Sequence, residues 1–435
     1  MQRERKVGLF LATMLVASSM VGSGIFLLPA TLAQFGSMTT LGWLVAAGGA
    51  LVIAEVLGRL GGPAPEAGGA IAYAGRALGP YVGFQAASVY WVSCWVGNVA
   101  IAVAAVGYLA SLAPALSGAL PLALAAVGLI WALTVVNLRG ARLVCQLETA
   151  ALAAGVIPIA LVVGAGWWHF RAAIFLQSWN VSGRPMAAAL PPAMVLMFWA
   201  FAGVESASIA TAVVLNPARN VARATRYGVL MAAAIYLAAC GVIMGLIPAR
   251  ELAASTAPFA DAVRLIFGPA AGALVAALAL AKAVGSLGAW ILITAQTGEA
   301  AAMQGHFPAF FARRGPGNVP RSNLMLVAAL MSAGVAMSAA PTLGEQFGEL
   351  ISVSVLLSLL LYIYACLAMW SRWAHARGLG TRRDRALAAA GIAFCVAVMA
   401  LSGVRLVALA AVPVALTVPL YPYVRRRAVA AMTQN

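Results

Sequence analysis

Apolar runs of about 20 residues, the length that spans the hydrocarbon core of a bilayer as a helix, recur along the whole chain. Each run therefore predicts a transmembrane helix. Hydrophobic residues make up 63% of the 435 residues and charged residues only 9%, whereas charged residues approach about 25% in soluble domains. We expect an all-α polytopic membrane protein. The twelve predicted spans are 8–34, 40–60, 81–111, 118–137, 145–168, 189–211, 227–247, 269–297, 323–341, 348–371, 386–403 and 406–423.

The net charge of +16 follows the predicted topology. With the N-terminus inside, the twelve spans place most of the 27 basic residues in inner loops, including Arg139, Arg142 and the clusters at 382–385 and 425–427. An excess of Lys and Arg in cytoplasmic loops is the usual signature of membrane orientation. We therefore expect both termini in the cytoplasm, a lipid bilayer as the surrounding partner, and no nucleic-acid partner.

The cysteines and histidines form no metal-site pattern. The five cysteines lie in or beside apolar runs without metal-ligand spacing, and the three histidines are isolated in loops. An embedded enzyme would need a cluster of His, Asp and Glu at lipid depth, and a channel would need a repeated filter or pore helix. The sequence contains neither pattern. It predicts no metal and no cofactor, and it favours a transporter over an enzyme or a channel.

Two ionisable side chains, Glu205 and Lys282, are predicted near the middle of the bilayer. A charge at a helix centre costs about 2.5–3.5 kcal/mol even on the mildest insertion scale. Chains that keep such residues usually use them along the path of a substrate or ion. This pair is the strongest sign that the protein moves something across the membrane.

Small residues interrupt two of the predicted spans. The first span contains Gly22-Ser-Gly24 and the sixth contains Gly203-Val-Glu205. Such stretches weaken a helix, although close helix packing through small residues is an alternative explanation. The interruptions lie five spans apart, as expected for inverted repeats with broken helices at the membrane centre. We predict a first repeat over 1–168, a second over 169–371, and helices 11 and 12 with a cytoplasmic tail over 372–435.

Short motifs along nearly the whole chain resemble one transporter family. The motifs are Lys6-Val-Gly-Leu9, Gly22-Ser-Gly-Ile-Phe-Leu-Leu-Pro-Ala30, Tyr90-Trp-Val-Ser-Cys-Trp-Val-Gly-Asn98, Gly203-Val-Glu-Ser-Ala-Ser208, Gly285-Ser-Leu-Gly-Ala-Trp290 and Ser352-Val-Ser-Val355. They are similar to those of the amino acid–polyamine–organocation (APC) superfamily and its basic amino acid/polyamine antiporters, with a pattern most like the arginine/agmatine antiporters. The resemblance implies a LeuT-like core of 5+5 inverted repeats in which helices 1 and 6 are broken.

The resemblance also implies a function. Members of this group exchange an extracellular basic amino acid such as arginine for its intracellular decarboxylated amine such as agmatine, by alternating access. The implied partners are small amino acids and amines, the implied location is a bacterial inner membrane, and a homodimer is consistent with the family. Because decarboxylation inside consumes a proton, such exchange suits acid resistance. An exchanger or proton symporter for neutral or acidic amino acids is the alternative, motivated by Lys282.

A substrate site carries over from the family residue by residue. The implied substrate-binding residues are Ser19, Met20, Ser23, Gly24, Ser93, Cys94, Asn98, Ile101, Trp199, Ala202, Ser286, Trp290 and Ser354. The implied gating or proton-linked residues are Tyr90, Glu205, Lys282 and Tyr362. Backbone amides at Ser23 and Gly24 would meet a substrate carboxylate. Trp199 would stack on a substrate cation, an interaction worth about 2 kcal/mol when desolvated.

Some of these positions depart from the family pattern, and Lys282 is the departure with the largest consequence. A small neutral residue is expected there, one helical turn before Ser286. Lys282 either lines the outer vestibule and repels a diamine, or pairs with Glu205, or faces away from the site and is deprotonated or snorkelling. Glu205 is expected to link protonation to conformational state, and a neutral acid bonded to the first span is its alternative. Glu148, near the inner start of span five, is expected to be structural or a gate contact.

Overall fold

The computed structural model describes residues 8–61, 69–205, 214–315, 317–338 and 342–432. Its long elements are α-helices, which we number by the predicted spans that they carry. They are α1 (Leu9–Met20), α2 (Thr39–Gly61), α3 (Pro80–Leu112), α4 (Ala119–Leu138), α5 (Ala141–Ala165), α6 (Met186–Trp199), α7 (Pro217–Leu246), α8 (Pro269–Met303), α9 (Arg321–Met337), α10 (Leu343–Ala368), α11 (Arg382–Leu401) and α12 (Val404–Met432).

Shorter helices lie between these elements. The short α-helices are Leu28–Ala33, Gly69–Leu78, Ala172–Gln177, Ala249–Ala254, Pro258–Phe267 and Arg372–His375. The 3-10 helices are Ser23–Phe26, Pro114–Leu116, Gly166–His169 and Ala309–Ala312. Each stands in a connection or at an interruption of a predicted span.

Within the described residues, nine helices are long and apolar enough to cross a membrane: α2, α3, α4, α5, α7, α8, α10, α11 and α12. The prediction of an all-helical, multi-pass membrane protein is therefore confirmed. The remaining three, α1, α6 and α9, are shorter apolar helices. Two of these three, α1 and α6, are short because each ends at one of the interruptions predicted from glycine content.

Helices α3, α8 and α10 form the centre of the bundle. Helix α3 packs along both α8 and α10, and α5 packs along α8 as well. Nearly every residue of α3 is buried, whereas α12 is exposed along most of its length. Large apolar side chains such as Leu44, Leu124 and Leu416 are exposed on the outer helices. Such an apolar exterior is suited to contact with lipid.

The first interruption separates α1 from the rest of the first span. Helix α1 ends at Met20, and a 3-10 turn follows over Ser23–Phe26. Backbone groups freed inside a membrane need partners from neighbouring helices. Tyr236 of α7 donates its hydroxyl to the Met20 carbonyl at 2.9 Å, and Tyr108 of α3 donates to the Phe26 carbonyl at 2.8 Å. Two buried tyrosines thus stabilise the non-helical backbone.

The second interruption follows α6. The helix ends at Trp199 and the chain continues in turns over 200–205, with residues 206–213 outside the described part of the chain. Gly203 adopts a φ of +101°, and a Cβ there would lie 2.9 Å from the Ser19 carbonyl oxygen. Ser19 in turn donates its hydroxyl to the Gly203 carbonyl at 3.3 Å. The two interruptions are therefore in direct contact.

Ion pairs connect three helices on the side predicted to be cytoplasmic. Glu55 and Arg59 stand four residues apart on α2 and form a local pair, with Arg59 Nε 2.9 Å from Glu55 Oε1. Arg226 of α7 reaches Glu55 Oε2 at 2.8 Å, and Arg59 also pairs with Asp384 of α11. The ion pairs thus join α2 to α7 and α11.

Candidate functional site

The two interruptions border a cavity between α1, α3, α6, α8 and α10. Twelve of the thirteen predicted substrate-binding residues line it: Ser19, Met20, Gly24, Ser93, Cys94, Asn98, Ile101, Trp199, Ala202, Ser286, Trp290 and Ser354. The side chain of the thirteenth, Ser23, lies outside the described part of the structure. Tyr90 and Glu205 line the cavity as well. Residues far apart in sequence are thus brought to one space.

Glu205 holds a fixed position at one side of the cavity. Its Oε1 accepts a hydrogen bond from the Tyr90 hydroxyl at 2.8 Å, and its Oε2 accepts one from the Tyr362 hydroxyl at 2.7 Å. The Gly203 amide donates to Oε2 at 3.2 Å. Tyr362 itself is buried behind the carboxyl group and does not line the cavity. The carboxyl group therefore joins the end of α6 to α3 and α10.

Trp199 lies between the first interruption and α3, and two glycines make room for its ring. A Cβ at Gly24 would lie 2.5 Å from Trp199 Nε1, and a Cβ at Gly97 would lie 2.6 Å from Trp199 Cη2. Any side chain at either position would displace the indole. The ring is consequently wedged at the cavity wall, where an aromatic face can meet a cation.

Hydroxyl and amide groups form the far wall of the cavity. Ser93 Oγ lies 2.7 Å from Ser358 Oγ and 3.0 Å from Ser354 Oγ. Ser354 donates its hydroxyl to the Ser93 carbonyl at 2.9 Å, and Ser358 donates to the Ser354 carbonyl at 3.1 Å. Farther along α3, Asn98 Nδ2 donates to Thr294 Oγ1 of α8 at 3.0 Å. The wall therefore joins α3 to both α8 and α10.

Three lining residues were not among the predicted ones: Gly22, Tyr236 and Ser358. Gly22 belongs to the glycine motif that predicted the interruption. Ser358 stands four residues after Ser354 on α10, so helical spacing alone was a sufficient signal for it. Tyr236 lies in an ordinary apolar stretch of α7, and nothing in the sequence marks it as a site residue.

Lys282 does not line this cavity. Its ammonium lies 2.6 Å from Glu148 Oε1 of α5, and its side chain is only 3% exposed. Gly155 of α5 permits this packing, since a Cβ there would lie 2.6 Å from Lys282 Cγ. Of the three placements left open by the sequence, the geometry matches the side chain that faces away from the site. Lys282 forms an ion pair with Glu148 and is therefore neither deprotonated nor snorkelling. It does not line the described cavity, and it does not pair with Glu205.

The charges around the cavity are one-sided. Among the described residues that line it, Glu205 is the one acid, and no Lys, Arg or His is present. No group of three His, Cys, Asp or Glu in the described part of the chain is arranged to hold a metal ion. The cavity thus offers one carboxyl group, aromatic rings, hydroxyls and an amide. This composition suits an organic cation rather than an anion.

A many-helix membrane protein with a polar cavity at the contact of two interrupted helices has the construction of a transporter rather than an enzyme. The chain belongs to the amino acid permease family, whose sequence profile matches residues 7–423. This match confirms the membership predicted from the motifs and the prediction that the protein is not an enzyme.

Curated relatives share much of the sequence. The chain is 38% identical over 371 residues to the cadaverine/lysine antiporter of Escherichia coli K12, covering 84% of this chain and 83% of that protein. It is 35% identical over 367 residues to the putrescine transporter PotE of the same strain, covering 84% of each chain. The PotE protein of Haemophilus influenzae is 33% identical over 367 residues, again covering 84% of each chain. These names contain lysine and diamines, whereas the motif pattern most resembled arginine/agmatine antiporters.

Proposed function

We propose that the protein is a secondary antiporter that exchanges a basic amino acid for its decarboxylated amine by alternating access. The observation that carries this proposal is the charge of the cavity, where Glu205 is the one acid and no basic side chain lines the described wall. A carboxyl group among aromatic rings and hydroxyls, in a described wall that carries no basic side chain, favours a substrate ammonium over an anion. The thirteen predicted substrate-binding residues and Tyr90, Glu205 and Tyr362 are proposed to act in this exchange.

We propose lysine and cadaverine as the first substrate pair. The named function of the relative that is 38% identical over 84% of the chain supports this choice. Arginine and agmatine are the second candidate pair, supported by the motif resemblance around Gly22–Ala30 and Gly203–Ser208. The neutral or acidic alternative loses its motivation, because Lys282 pairs with Glu148 outside the cavity.

The proposed architecture has twelve spans, with 1–168 and 169–371 as inverted repeats and 372–435 as an added pair of helices with a tail. Helices α1, α6 and α9 would complete the spans together with the chain that follows them. The proposed location is a bacterial inner membrane with both termini in the cytoplasm, in keeping with the basic inner loops. A homodimer stays a prediction from the family resemblance.

Counterflow in proteoliposomes tests the exchange. Vesicles containing the purified protein are loaded with lysine, cadaverine, arginine, agmatine, glutamate or leucine, and the uptake of labelled lysine is followed. We expect uptake only into vesicles loaded with a basic amino acid or amine, and the fastest uptake with cadaverine inside. Equal uptake into empty vesicles would indicate a channel or uniporter. Stimulation by glutamate or leucine would contradict the cationic substrate class.

A further inference from the structure

Thr294 of α8 is buried behind the cavity wall, between Trp290 and Asn98. Its hydroxyl donates to the Trp290 carbonyl at 2.7 Å, and Asn98 Nδ2 lies 3.0 Å from the same oxygen. A hydroxyl has one proton, so a threonine that gives it to a carbonyl can only accept from a second neighbour. The Asn98 atom that faces Thr294 must therefore be the amide nitrogen. The hydrogen-bond network thus fixes an orientation that atom positions alone leave ambiguous.

This orientation decides which atom Asn98 presents to the cavity. Asn98 lines the cavity, and its side-chain nitrogen is directed at Thr294. The side-chain oxygen is left, and none of the hydrogen bonds among the described residues uses it. Asn98 therefore offers the substrate an acceptor.

The serine cluster on the same wall, formed by Ser93, Ser354 and Ser358, also offers hydrogen-bond acceptors. The hydroxyl protons of Ser354 and Ser358 go to backbone carbonyls of Ser93 and Ser354. The Ser93 hydroxyl has three acceptors within the cluster, at 2.7, 2.9 and 3.0 Å. All three protons are consumed inside the protein, and the remaining lone pairs are acceptors. These three serines therefore present lone pairs and not protons to a ligand.

We propose that Thr294 is a positioning residue that turns the Asn98 amide so that this wall accepts hydrogen bonds from the far end of the substrate. The cavity then selects a terminal group that carries N–H donors, such as the second ammonium of a diamine or the side-chain ammonium of lysine. It rejects a ligand of equal length that ends in a carboxylate. Asn98 stands eight residues beyond Tyr90 on α3, about 12 Å along the helix axis. Asn98 therefore meets the end of the substrate that is remote from Glu205, whereas Ser93, three residues beyond Tyr90, lies nearer to the carboxyl group. The proposal rests on the proposed function and defines the substrate class more closely.

Three ligands of similar length that differ at one end test the proposal: cadaverine, pentylamine and 5-aminopentanoate. Their dissociation constants are measured by calorimetry with the full-length protein in nanodiscs. Thr294→Val removes the hydroxyl and frees the Asn98 amide to rotate. We expect cadaverine binding to weaken about tenfold, the scale of one hydrogen bond to a charged group. Pentylamine binding should change less than about twofold, because its methyl end makes no hydrogen bond. The preference for cadaverine over 5-aminopentanoate should fall, and Thr294→Ser should restore it.

Thr134 provides a matched control. It is buried on α4 and donates its hydroxyl to the Ile130 carbonyl at 2.8 Å, four residues back as in Thr294, but it bonds to no residue that lines the cavity. Thr134→Val should leave all three ligand affinities in the wild-type ratio.

The outcomes separate this inference from the proposed function. A uniform loss for the three ligands in Thr294→Val, or a serine variant that fails to restore the ratio, would assign Thr294 a purely structural role and overturn the inference. If the valine variant does not fold, Thr294→Cys keeps the shape with a weak donor and should lower the same ratio by a smaller factor. An unchanged ratio in the cysteine variant would also contradict the inference. Failure of the wild-type protein to bind any of the basic ligands would overturn the proposed function itself.

Discussion

Glu205 and Glu148 are two acids within predicted spans, and they are held by partners of opposite kind. Glu205 accepts hydrogen bonds from two tyrosine hydroxyls and a backbone amide, and it lines the cavity. Glu148 accepts a hydrogen bond from the ammonium of Lys282 at 2.6 Å and does not line the cavity. One acid faces the space that can hold a substrate, and the other is neutralised within the scaffold.

The difference shows that the location of a membrane lysine matters more than its presence. An ammonium in the cavity would repel a basic substrate by about 2 kcal/mol at 8 Å and an effective dielectric of about 20. Paired with Glu148 instead, Lys282 cancels a charge and joins α5 to α8. The described lining of the cavity then contains Glu205 and no basic side chain, which favours a cationic ligand. The contrast predicts that the two acids control different properties of the protein.

The largest expected effect is on stability, from Lys282→Ala. Removing one partner of a buried ion pair leaves the other charge uncompensated, at a cost of about 3 kcal/mol. This is the low end of the usual range, because the Glu148 side chain is 29% exposed. The melting temperature of the purified protein should fall by several degrees, while the ratio of cadaverine to pentylamine affinity should stay that of the wild type.

The controls for Lys282→Ala use two other ion-pair changes. Combining it with Glu148→Gln should cost less than the two single changes together, since the pair is already broken. Arg264→Ala removes an exposed pair with Asp261 and should lower stability by less than about 1 kcal/mol. A change of substrate preference in Lys282→Ala without a loss of stability would place the lysine in the substrate path.

The sequence predicted the cavity better than it predicted the contacts of its charges. The two helix interruptions could be predicted from Gly22-Ser-Gly24 and Gly203-Val-Glu205, because glycine weakens a helix at any depth. The partner of Lys282 could not be predicted, since Glu148 is 134 positions away and the choice depends on how α5 rotates against α8. Residues behind the wall, such as Thr294, look like ordinary helix residues until the network around them is known.

The second effect concerns binding, through Trp199. If the indole meets the substrate cation, Trp199→Leu should weaken lysine and cadaverine binding about tenfold or more, and Trp199→Phe should retain part of the affinity. Calorimetry on the two variants measures both. Trp131→Leu is the control, because Trp131 lies on α4, outside the cavity, and bonds to Ser332. Unchanged affinity in Trp199→Leu would show that the ring does not contribute to binding of the substrate cation.

The third effect, severalfold in size, is on the pH dependence of transport. Glu205→Gln keeps one acceptor oxygen, enough for one of the two tyrosine hydroxyls, and removes the carboxyl group from the cavity. We expect the variant to fold and to lose most of the pH dependence of exchange, as measured in proteoliposomes. Glu148→Gln should keep the wild-type pH profile. If Glu148→Gln loses the pH dependence of exchange and Glu205→Gln keeps it, the proposed difference between the two acids is wrong.

The smallest effect separates pH-dependent stability from pH-dependent transport, and it concerns His306 in the connection between α8 and α9. Burial lowers the pKa of His306 below its ordinary value of 6.5. The unfolded chain therefore binds a proton at a higher pH than the folded protein does. The stability linked to His306 is present above the pKa of the unfolded chain, and it is lost as the pH falls through the pKa of the folded protein. Lowering the pH from about 7.5 to about 5.5, which brackets the ordinary histidine range, should reduce the melting temperature of the wild type more than that of His306→Gln.

The exposed His169 is the control, and His169→Gln should follow the wild type. Exchange by His306→Gln should keep the wild-type pH profile, since that profile is assigned to Glu205. A flattened exchange profile in His306→Gln would instead move the pH dependence of transport out of the cavity.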